Sequence, residues 1–243
     1  MRTVSAEVLE DPAYLVPEAP AAASGIGWLR SAVSRFSNGA THVRRRAIVE
    51  ELLAAIDPEE LRAAYEGHPV ARLSQKLGVA DADLEAVTGD VRVAAAAYQT
   101  GDTAADDAVE RLVAVFGGVH DERTAAHLAL LVQACDATAA LIERARDRAV
   151  AGVLRDEPPV QACDATAALI ERLQHERVPL GQQARDRAVA SVLQDEPPVP
   201  ATRRVGPDGE VVLVALRGAP FGAGPRACPG RAHALALVEG ALR

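Results

Sequence analysis

One ten-residue loop near the end of the chain constrains the fold more than any other stretch. Residues 221–230 read Phe-Gly-Ala-Gly-Pro-Arg-Ala-Cys-Pro-Gly, so glycines, prolines and an arginine surround Cys228. Glycine permits positive φ and close approach of the backbone to a flat ligand, and Pro229 suits the first turn of a helix. A helical pattern follows directly. We therefore expect Cys228 at a helix N-terminus, where unpaired N–H groups favour thiolate over thiol.

Composition limits the class of protein. The 243 residues include only one Trp, three Tyr and three Phe, so the core must consist of Ala, Leu and Val, which favour closely packed helices. The formal net charge of −8 argues against general nucleic-acid binding. The three cysteines form no C-x-x-C pair, which predicts neither a disulfide framework nor a zinc site.

Membrane insertion is not expected. The N-terminus lacks an apolar signal core, and we find no apolar run approaching the roughly 18 residues that span a bilayer. The sequence therefore predicts no membrane association and a cytoplasmic location.

The apolar spacing predicts a mainly helical chain. A break at residues 37–39 divides one helical stretch, and a second break lies near Gly101. Asp57 with Pro58 marks a helix start, and Asp121 opens a long helix that continues through Thr138. Residues 1–25 are expected to form a short helix and irregular chain, and residues 210–216 the only clear strand.

The cysteine loop resembles the heme-binding loop of the cytochrome P450 superfamily, F-G-x-G-x-R-x-C-x-G. The matching positions are Phe221, Gly222, Gly224, Arg226, Cys228 and Gly230. The resemblance implies a mainly α, cytochrome P450-like helical domain with a minimal β component, shortened and spanning residues 1–243 as one domain. It also implies heme b as cofactor, with Cys228 as axial thiolate ligand, the ligand type that favours O–O cleavage. The alternative is a structural cysteine in a glycine-rich turn.

Further residues resemble positions that bind heme in this family. His42 and Arg46 are four residues apart and share one helix face. By resemblance they would hold heme propionates, together with Arg204 and the loop's Arg226. The alternative for His42 and Arg46 is a solvated basic face. Three loop residues would also contact the cofactor, namely Phe221, Gly222 and Gly230.

The long helix resembles the I helix of the same family, which carries an acid followed by a threonine. The resemblance implies that Asp136 and Thr138 deliver protons to bound oxygen. The residue directly after the acid is Ala137, however, and one residue along a helix turns the side chain by about 100°. A second departure is the K-helix motif E-x-x-R, whose positions hold Ser191 and Gln194.

A tandem duplication interrupts the chain. Residues 132–159 recur at 160–198, with eleven extra residues in the second copy. The second copy supplies a rival pair, Asp164 and Thr166. The first pair is favoured because the apolar stretch Leu128–Val132 continues the helix into it.

The resemblance implies a heme-thiolate monooxygenase that oxidises a small, mainly apolar molecule. Electrons would come from an acidic ferredoxin-type donor, docked on a basic patch of Arg44, Arg45 and Arg231. Two alternatives stay open. One is a heme-binding relative that uses peroxide or binds a partner instead of hydroxylating, and the other is a heme-free helical scaffold.

Overall fold

A computed structural model describes residues 2–156 and 181–243, with only the backbone for residues 153–156. Within these residues the chain is predominantly helical. The helices are α1 Gly25–Ala32, α2 Gly39–Ala54, α3 Pro58–Leu61, α4 Pro69–Lys76, α5 Leu84–Ala97, α6 Asp106–Val115, α7 Glu122–Asp156, α8 Gln182–Asp195 and α9 Arg231–Leu242. The strands are β1 Thr3–Val4, β2 Ala201–Val205 and β3 Val211–Ala215.

The helix starts and breaks that the sequence indicated are confirmed. The Asp57 carboxylate accepts a hydrogen bond of 2.9 Å from the N–H of Glu59 at the start of α3. Asp121 accepts one of 2.7 Å from the N–H of Thr124 at the start of α7. Each carboxylate satisfies a backbone donor that would otherwise have no partner in the first turn. The breaks at residues 37–39 and near Gly101 separate α1 from α2 and α5 from α6.

The sheet is larger than the sequence indicated. Its strand order is β1-β3-β2, with β1 parallel and β2 antiparallel to the central strand. The expectation of a single strand is therefore wrong. Strand β2 contains Thr202, Arg203 and Arg204 and shows no alternation of apolar residues. Its backbone hydrogen bonds to β3 are what mainly hold it in the sheet. At the N-terminus the expected short helix is present as a 3₁₀ helix, Ala6–Leu9, and strand β1, which was not expected, precedes it.

Helix α7 is the central element of the core. It packs against α2, α4, α5, α8 and α9, and its Leu128, Leu131 and Cys135 are fully buried. Over Glu122–Gly152 it is long and apolar enough to cross a membrane by length and composition, so the expectation that no run approaches that length is wrong. Because 56% of its most apolar stretch is buried by the rest of the protein, the position in the core accounts for this hydropathy.

The duplicated helices pack against each other. Ala149 of α7 and Ala188 of α8 occupy equivalent positions in the two copies, 39 residues apart. Both are buried in one apolar cluster, which the end of α9 completes through Val238 and Leu242. The same apolar face is thus buried in both copies, and the repeat contributes to the core. Residues 157–180, which include the first part of the second copy, lie outside the described residues.

Candidate functional site

The cysteine loop connects the sheet to α9 through a tight turn. The N–H of Cys228 donates a 2.7 Å hydrogen bond to the carbonyl of Phe221, which closes the loop. Gly222 and Gly224 have φ of +72° and +63°, a conformation that glycine adopts without strain. A Cβ on Gly224 would also lie 3.1 Å from the carbonyl oxygen of Leu9. Two of the fixed glycines are therefore required by the backbone itself.

The thiol of Cys228 lies just before the N-terminus of α9. The helix begins at Arg231 with Gly230 as its N-cap, so Pro229 precedes the first turn that the sequence indicated for it. Although the residue is partly open to solvent, desolvation by the surrounding protein raises the pKa of the thiol. The N–H of Gly230 and the charges of Arg46 and Arg231 lower it only in part. Contrary to expectation, the protein groups alone therefore do not favour the thiolate form of Cys228. A metal ion bound to the sulfur would stabilise that form.

Four residues from three separate segments form a positively charged group beside this loop, which we call the cation cluster. Its members are His42, Arg46, Arg204 and Arg226, and each acts electrostatically on at least one of the others. The structure therefore brings together all four residues that the resemblance assigned to the propionates.

Two of these arginines also hold the loop in place. The guanidinium of Arg226 donates to the carbonyl of Ser37 and to the side-chain oxygen of Asn38, each at 2.8 Å. Arg46 donates to the carbonyl of Ala227 at 2.7 Å and to Glu50 at 2.7 Å. The start of α2 is thereby tied to the cysteine loop.

Arg46 is paired with Glu50, but the charges of Arg204 and Arg226 have no such partner in the part of the chain that the structure describes. Arg204 is only 6% exposed, and its hydrogen bonds go to neutral oxygens of Thr202 and Arg203 at 3.2 and 2.9 Å. Burial, with Arg226 and Arg35 nearby, lowers its pKa to about 10. Among the described residues, neither Arg204 nor Arg226 forms an ion pair.

His42 lies in the same environment. It is 8% exposed, and burial together with Arg226 and Arg46 lowers its pKa to about 4. Buried cations without counter-charges are costly, so such a cluster is suited to an anionic ligand. The two carboxylates of a heme beside a cysteine ligand match both features. The residues present therefore fit the cofactor that the resemblance implies.

The two residues assigned to proton delivery are not brought together. Asp136 is exposed and interacts with Cys135 and His68, whereas Thr138 is buried. Two residues along an α-helix correspond to a rotation of about 200°, so their side chains leave α7 on nearly opposite sides. The rival pair, Asp164 and Thr166, lies outside the described residues.

The positions that replace E-x-x-R contribute to a different contact. Arg148 of α7 donates to Ser191 and forms a 2.7 Å ion pair with Asp195, both in α8. This contact joins the two copies of the duplicated sequence. The E-x-x-R pair is therefore absent at these positions, and the ion pair between Arg148 of α7 and Asp195 of α8 lies beside them.

The expected basic patch is partly neutralised. Arg44 and Arg45 both ion-pair with Glu122 at 2.8 Å, which lowers the pKa of that carboxyl to about 2. Arg45 also donates to the carbonyl of Ser31 at 2.7 Å. The guanidinium of Arg231 lies 5.3 Å from the ring centroid of Phe221. These three arginines thus serve internal contacts, which weakens them as a docking patch.

Sequence reasoning missed two residues of this site. Asn38 was read only as a helix breaker, yet it orients Arg226 and exchanges two hydrogen bonds with the backbone of Val16. Arg35 was not predicted as a site residue, yet its charge acts on Arg204. The Ser-Asn-Gly turn was the available signal for Asn38. No local pattern distinguishes Arg35 from the other arginines of the chain.

No protein-family model matches the sequence, and no curated protein matches it. Solved structures do. P450BioI, in complex with an acyl carrier protein carrying hexadec-9Z-enoic acid, aligns with a TM-score of 0.59 at 14% identity, over 97% of this chain and 81% of that one. CYP109E1 from Bacillus megaterium, in complex with testosterone, aligns with a TM-score of 0.54 at 15% identity, over 99% of this chain and 82% of that one.

The fold is cytochrome P450-like. This is the mainly helical fold with a small sheet that the resemblance of the cysteine loop implied. At these identities the likeness establishes the fold alone. In this chain the fold brings the cysteine loop and the start of α2 into hydrogen-bonding contact, with Arg204 of strand β2 nearby.

Proposed function

We propose that this chain is a heme-thiolate oxidoreductase of the cytochrome P450 type that oxidises a small, mainly apolar molecule with dioxygen. The observation that carries the proposal is that Arg204 and Arg226 of the cation cluster, beside Cys228, form no ion pair among the described residues. A buried group such as Arg204 destabilises the folded state unless an anion accompanies it. The carboxylates of heme b would supply that charge at the place where the thiol can reach the iron.

Each residue of the site has one task in this proposal. Cys228 holds the iron, and the N–H of Gly230 stabilises the charge on its sulfur. His42, Arg204 and Arg226 bind the carboxylates, while Arg46 holds the loop through the carbonyl of Ala227. A heme with a thiolate ligand activates dioxygen for insertion into a substrate bond.

The remaining roles concern α7 and the partners. Asp136 and Thr138 are proposed to move protons by separate routes, because their side chains leave α7 on nearly opposite sides. The apolar substrate class is supported by the two neighbours, whose bound molecules are a fatty acyl group and testosterone. A ferredoxin-type electron donor and a cytoplasmic location remain predictions.

The absorption spectrum of the reduced protein with carbon monoxide tests the proposal. We expect a strongly red-shifted Soret band, the signature of thiolate ligation, and its loss in Cys228→Ala. The matched control is Cys135→Ala, which removes a fully buried thiol of α7 whose pKa burial raises to about 12. That variant should retain the band. Absence of any Soret band after reconstitution with heme would overturn the proposal and favour a heme-free scaffold.

A second candidate is a heme protein that uses peroxide in place of dioxygen and a reductase. The divergent positions of Asp136 and Thr138 favour it, because dioxygen activation needs protons delivered to one point whereas peroxide brings its own. Turnover of a fatty-acid probe with hydrogen peroxide is compared with turnover by ferredoxin, reductase and NADPH. Activity with peroxide alone would support the second candidate, and activity with the electron donor would support the first.

A further inference from the structure

Three buried hydrogen-bond donors lack acceptors around the ring of Phe36. They are the Nε of Arg30, the Nε of Arg35 and the hydroxyl of Tyr98, none of which has a partner among the described residues. Tyr98 is only 3% exposed. Buried polar groups in native proteins are nearly always paired, so three such donors in one place point to a missing acceptor.

The donors belong to one arrangement, which we call the Phe36 cluster: Arg30, Arg35, Phe36 and Tyr98. The guanidinium carbons of the two arginines lie 5.0 and 6.0 Å from the ring centroid of Phe36. That ring lies 5.2 Å from the ring of Tyr98. Both arginines act electrostatically on the phenol, although its burial dominates and raises its pKa. Two guanidinium groups and the ring of a buried tyrosine therefore lie around Phe36.

Arg30 packs closely against the backbone, and neither Arg30 nor Arg35 is paired with a carboxylate among the described residues. A Cβ on Gly101 would lie 2.1 Å from Nη1 of Arg30, so the guanidinium packs directly against this glycine. Arg30 donates only to the carbonyls of Thr100 and Gln99, at 3.5 and 3.4 Å, which is the long limit for a hydrogen bond. Within the part of the chain that the structure describes, no carboxylate forms an ion pair with Arg30 or Arg35.

The Phe36 cluster adjoins the cation cluster. Arg35 acts on Arg204, which the proposed function assigns to a heme carboxylate. Counted together, Arg30, Arg35, Arg204 and Arg226 are four arginines without an ion pair among the described residues. Two heme carboxylates would neutralise two of these charges. Arg30 and Arg35 would still have no ion-paired carboxylate among the described residues.

We propose that the Phe36 cluster binds the carboxylate of a small organic acid, which would be the substrate of the proposed oxidation. The guanidinium edges of Arg30 and Arg35 match the two oxygens of a carboxylate, and the hydroxyl of Tyr98 donates a third hydrogen bond. The ring of Phe36 contacts the apolar part of the acid. Only the role as substrate rests on the proposed function, since carboxylate binding itself does not require heme.

Binding can be measured on the full-length protein by isothermal titration calorimetry, which needs no reporter group near the cluster. The protein is titrated with octanoate and, as an uncharged analogue, octanamide. We expect octanoate to bind at least tenfold more tightly, because hydrogen bonds to a charged group are about twice as strong as neutral ones.

Variants separate the roles of the two donor types. Arg35→Gln should weaken octanoate binding about tenfold, and Tyr98→Phe severalfold, without changing the response to octanamide. The matched control is Arg187→Gln, an exposed arginine of α8, which should change neither. Equal binding of the two probes, or octanoate binding that is unaffected in Arg35→Gln, would overturn the inference.

Two competition experiments identify the class of anion that the cluster binds. If inorganic phosphate displaces octanoate with the same dependence on Arg35, the assignment to organic acids is wrong and the site is a general anion site. If saturation with heme abolishes octanoate binding, Arg35 serves a heme carboxylate and the substrate assignment is overturned. Octanoate binding through Arg35 in a protein without a thiolate Soret band would support this inference while overturning the proposed function.

Discussion

Arg148, at the interface of α7 and α8, is paired with carboxylates, whereas Arg204 and Arg226, beside the cysteine loop, form no ion pair among the described residues. Arg148 contacts Asp195 at 2.7 Å and Glu196 at 3.4 Å, and it remains 28% exposed. Arg204 is 6% exposed and donates only to neutral oxygens. The first arrangement holds two helices together. The second leaves buried positive charge that the fold does not use, and this is the physical basis for assigning an anionic ligand to that region.

The pH dependence of stability distinguishes the two regions most strongly. The pKa of His42 is about 4 in the folded protein and about 6.5 when unfolded, so between these values the unfolded state binds a proton that the folded state does not. Stability should therefore be flat above pH 6.5 and fall by up to about 3 kcal/mol as the pH drops toward 4. The groups that act on His42 are Arg226, Arg46, Glu50 and Arg204.

Urea unfolding at several pH values, compared between the wild type and His42→Gln, measures this contribution. The variant should lose the part of the slope between pH 6.5 and 4. By contrast, Arg148 lowers the pKa of Asp195, so the α7–α8 ion pair should lose stability only at lower pH, as that carboxylate becomes protonated. An unchanged slope in His42→Gln would show that His42 is not held neutral by the cation cluster.

The backbone of the cysteine loop gives the second-largest expected effect. Gly224→Ala places a Cβ at a φ of +63° and 3.1 Å from the carbonyl of Leu9, so we expect a loss of about 2 kcal/mol in the free energy of unfolding. Gly230→Ala is the control, because its φ is −90° and the nearest contact of its Cβ is a methyl of Leu53 at 3.7 Å. Chemical denaturation measures both. Equal losses would mean that the turn geometry does not distinguish these glycines.

Removing one arginine from each region should change stability in opposite directions. Without heme, Arg204→Met should raise the free energy of unfolding by about 1 kcal/mol, because an unpaired buried charge becomes an apolar side chain of similar size. Arg148→Met should lower it, because the contact to Asp195 and Ser191 is lost. Heme affinity, measured by titration of the Soret band, should fall in the Arg204 variant alone. Destabilisation by Arg204→Met in the heme-free protein would contradict the contrast between the regions.

A buried tyrosine, Tyr98, and a half-buried one, Tyr65, give the smallest expected difference. Tyr98→Phe should leave the stability of the ligand-free protein unchanged or slightly raised, because its hydroxyl has no acceptor among the described residues. Tyr65→Phe should cost about 1 kcal/mol, because that hydroxyl donates to the carbonyl of Leu237 at 2.9 Å. Thermal unfolding of both variants checks this. A clear loss of stability in Tyr98→Phe would indicate that its hydroxyl has an acceptor.

Local features of the fold were predictable from the sequence because they depend on neighbours along the chain. Asp57 and Asp121 cap helices through hydrogen bonds to residues two and three positions later. The spacing of His42 and Arg46 placed both on one face of α2, and both lie in the cation cluster. The glycines of the cysteine loop likewise follow from turn geometry.

Partners that are distant in sequence were not predictable. Glu122 pairs with Arg44 and Arg45, 78 and 77 residues away, only because α2 packs against the start of α7. Because these two arginines are paired with Glu122, they are poorer candidates for the docking patch that the sequence predicts. The small sheet was missed in part because β2 depends on pairing with β3 and carries no pattern of its own.

The sequence by itself determined the cysteine loop, the helix boundaries and the helical class, because each depends on φ preferences, caps and a period of 3.6 residues. Only the tertiary structure decided which cations remain without carboxylates. Whether Arg148 is paired and Arg204 is not depends on which helices and strands pack together. Tertiary packing likewise decided that the two copies of the duplicated helix share one core, through Ala149 and Ala188. Net charge and composition do not predict such pairings, because they do not specify where in the structure each residue lies.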